Sequence, residues 1–114
     1  MAALSTTAQD AIRRLVDDLV RGDYAAIEAD GRSGRLSQEE LRRAVADYGR
    51  TLVQLPPSGI ELADIHPNEV AAGQVGVDLP LWTVEEGRSD LTLSMTINER
   101  PYGTSVSIDD LHVL

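Results

Sequence analysis

The chain has no cysteine, no lysine and no phenylalanine among its 114 residues. Without cysteine, disulfides, thiolate metal sites and thiol nucleophiles are all excluded. Aromatic residues make up only 4%, so a core must come from Leu, Val, Ile and Ala, within an apolar fraction of 42%. No apolar run approaches the roughly 20 residues that a membrane-spanning helix needs. The opening stretch "MAALSTTAQDAIRRLVDD" has no basic segment followed by an apolar one, so no signal peptide is expected and a cytoplasmic location is.

Charge of one sign is also scarce, and unevenly so. Residues 1–50 carry eight arginines against nine acids, whereas residues 51–114 carry only Arg88 and Arg100 against ten. The net charge of −9 therefore sits almost wholly in the second half. Such a half repels nucleic-acid phosphates and anionic lipid, so neither nucleic acid nor membrane is an expected partner. A basic protein partner suits it, as does solubility alone.

The length fits one domain, 1–114, with a helical part over 1–50 and an antiparallel sheet over 51–114. Ala8, Ile12, Leu15 and Leu19 recur at helical spacing, with Ser5, Thr6 or Thr7 as caps and Gly22 as the stop. Asp23 caps a short second helix carrying Tyr24 and Ile27. Ser37 and Glu40 form a capping box for a third, whose stripe is Leu41, Ala44, Val45 and Tyr48, ended by Gly49. "GRSG" at 31–34 lacks the context and the lysine of a phosphate loop, so it reads as a connector.

After Gly49 the apolar period changes to two. "TLVQL" and "GIELADIHP" read as short strands, followed by longer ones over about 74–84, 89–98 and 104–113. Helices first and strands afterwards define an α+β fold, with N-terminal helices on one face of an antiparallel sheet. Side-chain parity supplies a register. Opposing Leu79 with Leu93 and Leu81 with Leu91 leaves Glu85-Glu86-Gly87 as a three-residue turn. The next pairing sets Met95 against Val106 and Leu93 against Ile108. Beyond Ile108 the apolar parity jumps, which predicts a β-bulge at Asp109-Asp110. With that bulge, Leu91 meets Leu111 and one outer row reads Trp82, Asp90, His112.

Trp82, Arg88, Asp90 and His112, with Glu85 and Glu86 at the turn, are thus the candidates for an interface, since an exposed Trp and Arg suit protein contact. A histidine polarised by Asp90 is the catalytic alternative, but an outer sheet face excludes water poorly. Acids at 85, 86, 90, 109 and 110 show neither calcium-loop spacing nor paired histidines, so no metal and no cofactor are expected. Ser37 is accounted for by capping, and no hydrolase-type Ser/His/Asp motif is present, so no catalytic residue is assigned.

The segments "IRRLVDDLVRGDYAAIEA", "LSQEELRRAVADYG", "VGVDLPLWTVEEGRSDLTLSMTI" and "VSIDDLHVL" together resemble the nuclear-transport-factor-2-like superfamily, which includes SnoaL-like cyclases. The string "LWT-EEGRSDLTL" is also similar to the signature of a family of small, uncharacterised bacterial proteins. The resemblance implies a cone: a curved sheet around helices, often with a pocket at its wide end and often dimeric through the sheet. Relatives of that kind include enzymes, small-molecule binders and immunity proteins that neutralise toxins. Enzymatic members place polar groups inside the cone, where this chain puts aliphatic ones. A pocket would have to draw on Tyr24, Tyr48, Asp64, His66, Thr83 or Tyr102. The resulting expectation is a non-enzymatic interaction module acting through the outer sheet face, as a homodimer or an immunity-type binder of a basic protein. The alternative is a ligand pocket or an isomerase- or cyclase-like activity inside the cone.

Overall fold

Helix α1 spans Thr6–Arg21, and its stripe of Ala8, Ile12, Leu15, Val16 and Leu19 is buried throughout. The Ser5 hydroxyl accepts from the Ala8 N–H at its start, and Gly22 turns left-handed (φ 72°) at its end. Helix α2 spans Tyr24–Ala29 behind the Asp23 cap and buries Tyr24 and Ile27. Helix α3 spans Gln38–Tyr48 and begins with the reciprocal Ser37–Glu40 capping box. Only Leu41 of its stripe is fully buried; Ala44, Val45 and Tyr48 pack at the margin. In this computed structural model residues 4–67 and 73–114 are described.

The strands are β1 (Leu52–Val53), β2 (Asp64–Pro67), β3 (Gln74–Thr83), β4 (Gly87–Arg100) and β5 (Gly103–Val113). All pairings are antiparallel, in the order β1-β3-β4-β5, and β2 pairs with the same edge of β3 as β1 does. The sheet is strongly curled and the helices pack on its aliphatic face, an α+β fold consistent with a cone. "TLVQL" forms strand only at Leu52–Val53, and "GIELADIHP" is a 3-10 turn (Gly59–Leu62) before it becomes β2. The cause is local: Pro56 fixes φ, and the Gly59 N–H then donates to the Pro56 carbonyl at 2.8 Å, starting a run of i→i+3 bonds.

Val77, Leu79, Leu81, Leu91, Leu93, Met95, Ile97, Val106, Ile108 and Leu111 face inward and are buried, meeting Ile12, Leu15, Leu19, Ile27 and Leu41 from the helices. That aliphatic mass is the core foreseen from parity, with Val75 at its margin.

Register is right at the middle of β3–β4 and shifted elsewhere. Val75↔Ile97, Val77↔Met95 and Leu79↔Leu93 pair as expected, but an irregularity between Pro80 and Trp82 then sets Trp82 against Arg88 and Thr83 against Gly87. The turn is consequently Val84-Glu85-Glu86, with Gly87 in the left-handed region (φ 73°) just after it. Ser89 accounts for the shift. Its buried hydroxyl donates to the Leu81 carbonyl at 2.8 Å and accepts from the Leu91 N–H at 3.2 Å, serving backbone groups that the ladder leaves unpaired.

Between β4 and β5, Ser94↔Asp110 is followed by Met95↔Ile108, so Asp109 is the extra residue of a bulge where one was expected. The pairs themselves are displaced: by two positions where Met95 meets Ile108 instead of Val106, and by three, the bulge included, where Leu93 meets Leu111 instead of Ile108. Thr92, not Asp90, stands opposite His112, and the row Trp82, Asp90, His112 does not form.

The outer edge of β5 is partly covered. Its Ile108 N–H donates to the Arg32 carbonyl at 2.7 Å. Gly34 (φ 60°) comes so close that a Cβ there would lie 2.3 Å from the Ile108 carbonyl oxygen. Only glycine allows this loop to seat against the strand.

Candidate functional site: the outer sheet face

The alternation that buries the aliphatic residues turns their neighbours outward. The ladder pairs Asp64 with Asp78, Asp78 with Ser94 and Ser94 with Asp110, so three carboxylates and a hydroxyl form one row across four strands. Both histidines flank it, His66 on β2 and His112 on β5. His66 Nε2 lies 3.0 Å from Asp78 Oδ2 and 3.5 Å from Asp64 Oδ2. The Ser94 hydroxyl donates to the other Asp78 oxygen at 2.6 Å, and the Thr96 hydroxyl donates to Asp109 Oδ2 at 2.6 Å. The Ser94 bond, ahead of the neighbouring His66, holds the Asp78 carboxyl below its usual range even though partial burial opposes this. His112 Nδ1 approaches Asp110 Oδ2 to 3.1 Å, at an angle outside hydrogen-bond geometry.

The sequence-derived interface candidates separate into two groups. Arg88 and Asp90 are exposed, and His112 is half-buried beside Asp110. Glu85 and Glu86 are fasteners. Glu85 accepts from the Thr51 N–H at 2.8 Å and from its hydroxyl at 3.0 Å. Glu86 accepts from the Tyr48 hydroxyl at 2.8 Å and from Thr83 Oγ1 at 3.1 Å. Trp82 is half-buried against the core, with its Nε1 beside Gly59 and no hydrogen-bond partner among the described residues. Its indole reaches from Gly59, beside Nε1, to Gly87 of β4, which faces its six-membered ring. The cation–π contact found among the described residues is Arg42 over Tyr24 at 5.4 Å.

The pocket candidates do not converge. Tyr24 is buried in the core, His66 lies on the outer face, and Tyr102 is 89% exposed at the β4–β5 turn. Tyr48 and Thr83 meet through Glu86, and Asp64 meets His66 on the outer face, away from the interior. A cleft of about 570 Å³ lies between α1, residues 30–32 and the start of β5. Much of its charge is internally paired, Asp18 with Arg21 and Arg32, and Asp30 with Arg32.

Alternation with Leu79 and Leu93 is enough to turn Asp78 and Ser94 outward, but it does not reveal their row with Asp64 and Asp110. The usable signal was the alternation Asp64-Ile65-His66 in "ADIHP". Assembling the row also required knowing which edge β2 joins.

A curled antiparallel sheet over three helices, with its polar chemistry on the outer face, defines the class of this α+β protein. The chain belongs to the family described as a domain of unknown function (DUF7668), whose model matches residues 16–114. No curated protein matches the chain, and neither does any solved structure. None of the described helices is long and apolar enough to cross a membrane.

Proposed function

We propose that the protein is a non-catalytic interaction module whose outer sheet face receives a basic protein, as an immunity-type role would require. The observation that carries this reading is the Asp64–Asp78–Ser94–Asp110 row, extended by exposed Asp109 and Asp90. Aligned carboxylates on a rigid ladder create a local negative field that steers and orients a cationic partner. Arg88, exposed and paired with Trp82 across the ladder, would fix the polarity of docking. Charge favours such a partner over a second copy of the chain, because a two-fold contact through this face would set one row of aspartates against another. The filled aliphatic interior supports the interaction reading over a pocket inside the cone. The curl of the sheet over the helices likewise supports kinship with the nuclear-transport-factor-2-like proteins, carried here as part of the proposal.

An amide-shift titration with an arginine-rich decapeptide at physiological ionic strength tests the reading. Shifts should centre on Asp64, Asp78, Ser94 and Asp110, and the double substitution Asp78→Asn/Asp110→Asn should weaken binding about tenfold, or about 1.4 kcal/mol. Shifts centred on the α1–β5 cleft, or binding unaffected by the double substitution, would reject it.

A further inference from the structure

Asp64 and Asp78, two members of the acidic row, form with His66 a donor set whose imidazole partner binding does not require. One nitrogen of His66, one oxygen of Asp64 and one oxygen of Asp78 all lie within 4.8 Å of one another. Two edges of that triangle are 3.0 Å (His66–Asp78) and 3.5 Å (His66–Asp64). Zinc–nitrogen and zinc–oxygen bonds of about 2.0–2.2 Å put tetrahedral donors roughly 3.4 Å apart. The triangle therefore needs side-chain adjustment only, with no backbone movement.

The sheet supplies the rest of the arrangement. Asp64 and Asp78 are directly opposite on paired strands, and His66 stands two residues along on the same face. Like charges directly opposite destabilise an antiparallel pair. A cation between them reverses the sign of that contribution. Ser94 bonds the Asp78 oxygen that points away from His66, which fixes the carboxylate's orientation. His66 and Asp64 are 55% and 74% exposed, so water or an incoming group can complete the coordination.

We propose that Asp64, His66 and Asp78 bind a divalent transition-metal ion, of which zinc is the representative. The imidazole sets this class apart from calcium and magnesium, which take oxygen donors in larger numbers. The site is open, held by three protein ligands, and lies on the acidic face itself. A bound ion would locally replace repulsion between carboxylates by a positive centre able to take a further ligand.

Calorimetry with zinc chloride alone on the full chain tests the site, with magnesium chloride in parallel. The expected result is one zinc per chain with a dissociation constant tighter than about 100 μM, and no saturable magnesium binding. His66→Ala and Asp78→Asn should each weaken zinc at least tenfold, Ser94→Ala by about tenfold through loss of carboxylate orientation. His112→Ala, which removes the other histidine, should leave affinity unchanged. Circular dichroism of each variant verifies folding, and zinc should raise the melting temperature of the wild type but not of His66→Ala. No binding at 100 μM zinc, binding that survives His66→Ala, or binding lost with His112→Ala overturns the proposal. The basic-peptide titration, done with chelator present, reads the acidic face independently.

Discussion

Asp18, in the last turn of α1, receives the guanidinium of Arg32 at 2.7 Å, and the two side chains are only 12% and 18% exposed. The same Arg32 uses its carbonyl to accept from the Ile108 N–H on β5. One residue of a connector thus ties the first helix to the last strand.

Removing the carboxylate should therefore cost more than loss of a surface ion pair. Asp18→Ala leaves the partly desolvated Arg32 with Asp30 as its remaining partner and cuts its tie to α1. Exposed pairs are worth up to about 1 kcal/mol and broken buried ones about 3–5, so a loss of about 2 kcal/mol is expected. Thermal denaturation should show a melting temperature lower by on the order of 10 °C. A drop under about 2 °C would mean that the clasp contributes little.

The helices were legible in the sequence because their signals are local. Ser37 with Glu40, Asp23, Gly22 and Gly49 act within a few residues of the groups they cap. The inward faces of β3, β4 and β5 were legible for the same reason, since alternation is carried by each strand alone. Register was only half legible. Parity distinguishes one face from the other, so it detects a slip of one residue and is blind to a slip of two. Both shifts, at Leu81–Ser89 and along β5, are of the undetected kind. The false Trp82, Asp90, His112 row followed from them. The donor triangle on β2 and β3 was hidden by topology. Nothing within "ADIHP" states that it lies along Gly76 and Asp78, or that β1 and β2 share an edge.

Ser89 offers a direct test of what fixes the shifted register. It is 5% exposed, and its hydroxyl serves both the Leu81 carbonyl and the Leu91 N–H. Ser89→Ala removes both bonds while leaving those backbone groups buried. A cost of about 1–3 kcal/mol is expected, as for an unsatisfied buried polar group. Hydrogen exchange should accelerate at the Leu91 amide more than at Leu93, one pair further along. Equal acceleration at both would show that the hydroxyl supports general stability and not the irregularity itself.

Glu85 gives the fold a defined response to acid. The Thr51 N–H, foremost, and the Thr51 hydroxyl hold its carboxyl below the ordinary glutamate value of 4.5. A depressed folded value means that the unfolded chain binds the proton more readily. The stabilisation is therefore fully present above pH 4.5 and fades as pH falls through the lower, folded value. Glu85→Gln should melt below the wild type at pH 7, and the gap should narrow steadily as the pH is lowered past the usual carboxylate range. Because this contact fastens the hairpin to β1, amide exchange at Thr51 should follow the same pH course. A melting-temperature gap that stays constant down to acid pH would show that the Thr51 contact does not depend on the charge of Glu85.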